Sequence, residues 1–485
     1  MHRIRTLIIC ILILLLALPV LSIRAETEQA EDLTDSFRFD FGSDPDAAKR
    51  ILRDRKQYYT FRADEAFTLT WDTEVRDARL CISWQEPPEN VSVTQYAADG
   101  TALLTETLVP HPDSVIPLLQ DARSAVVQAG ENGMKVLFCA VLGPGELPEP
   151  FHEWQETPDH LDYLLISTHP DDDVLYLGSI VPTYGAEQGY VGTIIYVTCQ
   201  NRTRADEAEN GAWAMGLRYR PVFLGMKDVD NSANKSAKEK FQYSELLVNT
   251  VRIYRKLHPL VVFAQDLNGE YGHWQHKLTA KAAREAFSLA ADPTFDPDSY
   301  EQYGAWQVQK LYLHLYQKDK LTVDAHAPLS FFDGRDAYDV ACEAYRKHET
   351  QQRFRFKVRR DNGAYAFNRF GMAEGVVPAG TDVFDGIDER LLSNYVEPTP
   401  TPIPTEVPTQ EPAETPTPAP TPTPAPVTPA PTENVRETVP KPAAQDLRPL
   451  LWIGIVTVAT AAIVGVTAYF WTKRQLSKHP PDDKE

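Results

Sequence analysis

From Asp162 onward the chain alternates short apolar runs with stretches of helical character, and this rhythm narrows its fold more than any other feature. Residues 163–167, 191–197, 221–224 and 259–264 read as buried strands. Residues 174–188, 204–217, 237–257 and 275–291 read as the helices between and after them. Strand and helix in alternation predict an α/β fold, a Rossmann-like sheet of mostly parallel strands with helices on both faces. Such sheets place their chemistry beyond the carboxyl ends of the strands, where the strand order reverses.

That rule directs attention to two stretches. The first strand runs straight into His169-Pro170-Asp171-Asp172-Asp173, and the fourth is followed by Gly269-Glu270-Tyr271-Gly272-His273-Trp274-Gln275-His276. Acids this close repel one another and need a cation or a shared proton. In the common doubly wound order the first and fourth strands are neighbours across the reversal, so both stretches would face one cleft. A catalytic zinc takes three protein ligands and keeps a position open. His169, one of the neighbouring aspartates and His276 would supply the three, and spacing alone leaves open whether Asp171 or Asp172 is the ligand. The other carboxylate would serve as general base to a water, and His273 would stabilise an oxyanion or protonate a leaving amine. These are the parts of metal-assisted amide hydrolysis.

The stretch from Leu165 to Asp173 resembles the His-Pro-Asp-Asp-Glu signature of the N-acetylglucosaminylphosphatidylinositol de-N-acetylase family, also called PIG-L or LmbE-like. Gly269 to His276 is similar to its second histidine motif. Arg204-Ala205-Asp206-Glu207 with Met215-Gly216, and Phe223 to Asp228, fit the pattern between. The resemblance implies a Zn2+-dependent hydrolase that removes acetyl from N-acetylated sugars. It assigns His169, Asp172 and His276 to the metal, Asp171 to the general base and His273 to the acid or oxyanion partner. Arg204 would contact substrate, and Asp228 is a second substrate-binding candidate that reads equally as a support behind the metal ligands or as a turn acid. Asp173 departs from the usual Glu and predicts a retuned site. His314 reads as a strand histidine, and 348–351 could line the cleft mouth but reads more readily as a solvated helix face.

The preceding region, 37–148, alternates short apolar-polar runs with turn signals such as Asp99-Gly100, which predicts an all-β sandwich or jelly roll. Trp71, Trp84 and Tyr96 could form an aromatic platform for sugars, although large aromatics more often pack in cores. On that platform rests an alternative function, a non-catalytic glycan-binding surface protein with a degenerate deacetylase domain. Cys81 and Cys139 could pair or stand as two core thiols.

The ends carry localisation signals. Residues 1–25 read as a signal peptide or signal anchor. Residues 397–442 are a Pro/Thr-rich stalk of extended character. Residues 450–472 are uncharged and long enough for one membrane span, and 473–485 form a basic-flanked cytoplasmic tail. Together these predict a cell-membrane protein with a single C-terminal span and an extracellular catalytic domain at 160–392. A net charge of −20, with no basic run set against it, argues against nucleic acid as a partner, and N-acetylated carbohydrate is the partner that the resemblance implies.

Overall fold

The structure, a computed structural model, describes residues 29–42, 47, 51–52, 55–199, 201–229, 242–361 and 363–395. The expected signal (1–25), stalk (397–442), span (450–472) and tail (473–485) lie outside the described residues. Among the described residues no helix is long and apolar enough to cross a membrane. The expected cell-membrane localisation, with a single C-terminal span and an extracellular catalytic domain, is therefore not borne out among these residues.

Among the described residues nine strands come first: β1 (Arg38–Asp40), β2 (Tyr59–Phe61), β3 (Ala66–Thr70), β4 (Arg79–Glu86), β5 (Val91–Tyr96), β6 (Ala102–Leu108), β7 (Asp113–Pro117), β8 (Ser124–Ala129) and β9 (Met134–Leu142). They form two antiparallel sheets, β1-β3-β8-β5-β6 and β2-β9-β4-β7. Alternate residues of β3 and β5 are buried, as the apolar-polar pattern requires when one face meets a core. Phe67, Leu69, Val91 and Val93 from one sheet meet Leu80, Ile82 and Val136 from the other in a single cluster. Trp71 and Trp84 belong to that cluster, as the core reading of large aromatics expects, so they offer no platform and only Tyr96 stays half-buried. Cys139 lies opposite Ile82 in the β4–β9 register, one position out of step with Cys81. Successive strand residues face opposite ways, so the two thiols point to opposite faces of the sheet and both are free.

The second region runs β10 (Leu161–Ser167), α1 (Asp172–Leu177), β11 (Gly192–Thr198), α2 (Arg202–Ala214), β12 (Val222–Met226), α3 (Tyr243–Leu257), β13 (Pro259–Ala264), α4 (Trp274–Leu289), α5 (Pro297–Tyr303), β14 (Lys310–His314), β15 (Lys320–Thr322), α6 (Ala337–Arg346) and β16 (Arg369–Gly375). The sheet order is β12-β11-β10-β13-β14-β16-β15. β10 pairs in parallel with both β11 and β13, so the strand order reverses between β10 and β13. Both faces of β10 are covered. Tyr163 and Leu165 pack with α1, α2 and α6, while Leu164 and Ile166 pack with α3 and α4. This is why the strand reads as a continuous apolar run rather than an alternation.

Two elements differ from expectation. The helix foreseen over 174–188 ends at Leu177; after a break at Gly178, Val181–Ala186 makes a π turn that includes Pro182. β16 was not foreseen, because two glycines interrupt its apolar pattern. It is held between β14 and β15 and is antiparallel to both.

The first region braces the second at α2. Arg202 opens that helix and pairs with the buried Asp113 of β7 at 2.5 Å, while also donating to the Trp84 carbonyl. Asn201 caps the same helix, its side chain accepting from the Arg204 N–H at 3.1 Å. Farther along, Asn210 is hydrogen-bonded to His152 at 2.8 Å, and the His152 ring stacks on Trp213.

Candidate active site

The loops after β10 and β13 are fastened together below the site. The Gln265 side-chain oxygen accepts from the Thr168 N–H at 3.0 Å, and the Thr168 hydroxyl donates to Thr279 Oγ1 on α4 at 2.8 Å. The expected meeting of the two histidine motifs is therefore observed. His169 Nδ1, Asp172 Oδ2 and His276 Nε2 form a triangle with edges of 2.8, 3.1 and 3.2 Å. A tetrahedral ion with bonds of about 2.0–2.2 Å holds its ligands roughly 3.3 Å apart, so these three donors fit a metal. His273 is also within reach, since nitrogens of His169, His273 and His276 lie within 4.8 Å of one another and could hold an ion. The first set is the tighter and adds an anionic oxygen.

The electrostatics fit a cation as well. Burial tends to neutralise His169, yet Asp172 and Asp228 raise it to about 10. His276 is likewise opposed by burial and raised to about 8 by Asp172 and Glu270. Burial also acts to raise Asp172, but His276 and His169 outweigh it and hold the carboxyl well below its ordinary range. A carboxylate between two proton-loving imidazoles is a site where protons occupy positions that a metal can take. His273 is different: burial, with His276 and His169 beside it, lowers it to about 3, and its Nδ1 is buried without a hydrogen-bond partner. It is a neutral imidazole with one nitrogen to spare.

Each proposed histidine ligand is backed by a second group. The His276 Nδ1 meets Glu270 Oε2 at 2.8 Å, and Glu270 Oε1 meets His314 Nδ1 at 2.7 Å. His314 is thus a strand histidine, as expected, but one tied into the site from β14. The far nitrogen of His169 lies 3.5 Å from Asp228. Carboxylates placed this way fix the tautomer and orientation of metal-binding imidazoles. Asp228 also lines the cleft.

The remaining acids divide. Asp171 faces the cleft with φ at 114°, a left-handed conformation that costs a non-glycine residue about 1–3 kcal/mol. Burial and the neighbouring Asp172 push its carboxyl up to about 8, against the pull of Arg204. Asp173 does not line the cleft: its two oxygens accept from Tyr196 Oη at 2.9 Å and from the Asp171 N–H at 3.2 Å, and burial raises it to about 7. It anchors the loop from beneath.

Arg204 is the buried strut of the opposite wall. It donates to the Pro170 carbonyl and to Glu207 at 2.7 Å, and stands 3.5 Å from Asp171. Glu207 in turn accepts from the Thr350 N–H at 2.6 Å and its hydroxyl at 2.8 Å. Residues 348–351 are consequently not a solvated helix face. His348 is fully buried and Gln351 lines the cleft. The cleft itself has a volume of about 520 Å³.

Sequence reasoning missed Glu270, Glu207 and Thr350 as supports. Glu270 had a signal, a carboxylate six residues before a candidate ligand histidine; Thr350 had none, because its partner lies 143 residues away.

The profile of the PIG-L family, described as GlcNAc-PI de-N-acetylase, matches residues 164–287. That span holds both histidine motifs, Arg204 and Asp228. The chain carries a PIG-L/LmbE-like deacetylase domain. Among relatives of the PIG-L domain is 1D-myo-inositol 2-acetamido-2-deoxy-alpha-D-glucopyranoside deacetylase 1 of Frankia casuarinae, 26% identical over 47% of this chain and 95% of that protein. The protein of the same name from Catenulispora acidiphila is 28% identical over 31% of this chain and 54% of its own length. Among solved structures, N,N'-diacetylchitobiose deacetylase from Pyrococcus horikoshii is similar with a TM-score of 0.32 at 21% identity, covering 40% of this chain and 70% of that one.

Proposed function

We propose that this chain is a zinc-dependent de-N-acetylase that hydrolyses the acetamide of N-acetylated, GlcNAc-type sugars to acetate and a free amine. The observation that carries the reading is the donor triangle of His169, Asp172 and His276 with Asp171 beside it, where two parallel strands end. A zinc ion held by those three residues would polarise the amide carbonyl and acidify water. Asp171 takes the proton from the attacking water as its oxygen adds to the carbonyl carbon, and passes that proton to the nitrogen as the C–N bond breaks. His273, neutral at rest, donates an N–H to the developing oxyanion. Arg204 holds the Asp171 loop through the Pro170 carbonyl, and with Asp228 presents polar groups to sugar hydroxyls in the cleft. In this reading residues 160–392 are the deacetylase domain and 37–148 a β-sandwich accessory domain that braces α2. Acetate release from N-acetylated oligosaccharides tests the reading. Activity should vanish with a chelator and return with zinc. Chelator-insensitive release would exclude the mechanism.

A further inference from the structure

Floor and rim of the cleft differ in charge. The floor carries Asp171, Asp172 and Asp228, while one wall is the segment after α6, which contributes Gln351 and Phe356. That segment continues as Arg353-Phe354-Arg355-Phe356-Lys357-Val358-Arg359-Arg360. Five cations in eight positions are conspicuous in a chain of net charge −20, and they correct the expectation that no basic run is set against that charge.

Arg360 is used internally: its guanidinium lies 4.0 Å from the Tyr338 ring centroid and is hydrogen-bonded to His326 at 3.1 Å. Arg353, Arg355 and Lys357 are exposed, and among the described residues none of them forms an ion pair with an acid. Three unpaired cations side by side repel one another, a cost that an anion removes. The aromatic residues between them are just as unusual. Phe354 and Phe356 are 46% and 41% exposed, and Phe356 packs 5.4 Å from the ring of Tyr271, itself 42% exposed, across the cleft mouth. Exposed aromatics gathered at a cleft mark a ligand surface. The strip is pinned at both ends, by Thr350 on Glu207 and by Val358 in the core of the α/β region. It is a built wall beside the acidic floor, and it lies outside the span matched by the family profile.

We infer that this strip is a second recognition site, for an N-acetylated oligosaccharide that carries an anionic substituent, a carboxylate or a phosphate, on the sugar next to the one deacetylated. The sugar face stacks on Phe356 and Tyr271, and the anion meets Arg353, Arg355 and Lys357. The inference rests on the deacetylase reading above. A lipid surface is the other ligand that basic and aromatic residues attract, but Phe356 is part of the cleft wall and shares that cleft with the metal-fitting group.

The test compares kcat/KM on three substrates of equal length: a neutral N-acetylated disaccharide, one bearing a carboxylate and one bearing a phosphate. Wild-type enzyme should prefer at least one anionic sugar by about tenfold, and that preference should shrink as salt rises from about 50 to 500 mM. The combined substitution Arg353→Gln, Arg355→Gln, Lys357→Gln should remove most of the preference, and Phe356→Ala should raise KM. A wild-type enzyme indifferent to the anion, or a triple variant that keeps the preference, overturns the inference. So does binding of anionic vesicles that the triple variant loses while its sugar preference is unchanged. Calorimetric titration of the two anionic disaccharides into wild type separates the two readings. Saturable binding that the triple variant lacks, without acetate release from any sugar, means the deacetylase reading fails and the subsite stands. No binding and no release removes both.

Discussion

The two halves of this molecule both bury polar side chains, and they do so to opposite ends. In the antiparallel sheets the buried carboxylate and amide are consumed by structure. Asp113 accepts from Ser83 and pairs with Arg202, and Gln95 bonds the Pro117 carbonyl and the Leu119 N–H. In the α/β half the buried acids and imidazoles converge beyond β10 and β13 with their donor atoms facing one another. Topology accounts for the difference. Antiparallel neighbours mix strand starts and strand ends along every edge of a sheet. Parallel neighbours deliver all their carboxyl ends to one edge, where loops from adjacent strands can share a site. A reactive cluster grows on the sheet that has a chemically distinct edge, and the other half holds α2 in place.

That contrast can be broken most forcefully at Asp171. Asp171→Ala should cut acetate release by about 10²–10⁴-fold, the usual contribution of a general base, while the protein stays folded. Turnover close to wild type would remove the proposed division of roles. Trp84→Ala should do the reverse: a loss of about 3–5 kcal/mol in denaturant melts, from the cavity left in the core between the two sheets, with metal content of the folded protein unchanged. Metal loss in that variant would show that the halves are not separable. His276→Ala should strip the bound metal, as read by atomic emission. Glu270→Gln, which leaves all three donors but loosens one, should weaken metal affinity by about 10–100-fold in a chelator competition.

The smallest effect lies at the seam. Burial lowers the His152 imidazole to about 4, against about 6.5 when unfolded. A depressed histidine favours the folded state while neutral, so its contribution is present above pH 6.5 and drains away as the pH falls toward 4. Between pH 7 and 5.5 the loss is about 1 kcal/mol. Melting temperatures across that range should fall less steeply in His152→Gln than in wild type, and parallel slopes would place the acid sensitivity elsewhere.

Much of this was legible in the chain. β10 and β13 are uninterrupted apolar runs, and their adjacency follows from the order in which doubly wound sheets reverse, so the meeting of His169 with His276 could be foreseen. The supports behind them could not, because they depend on distant partners. His314 reaches Glu270 from another strand, and Thr350 reaches Glu207 across the helix pair α2 and α6. β16 was hidden because a strand hydrogen-bonded on both sides and broken by glycine shows no period. The Arg353–Arg360 run was visible all along, and a strongly negative total charge drew attention away from it. Trp71 and Trp84 were legible too, because large aromatics on alternating strands pack in a core more often than they form a platform.

The backbone at Asp171 sets evolution a choice. Its φ of 114° is comfortable only for glycine, so Asp171→Gly should raise the melting temperature even as it removes the proposed base. A lineage released from the need to turn over substrate would be drawn toward glycine at this position and become sturdier as it fell silent. If Asp171 is the base, its presence at that φ exchanges stability for turnover.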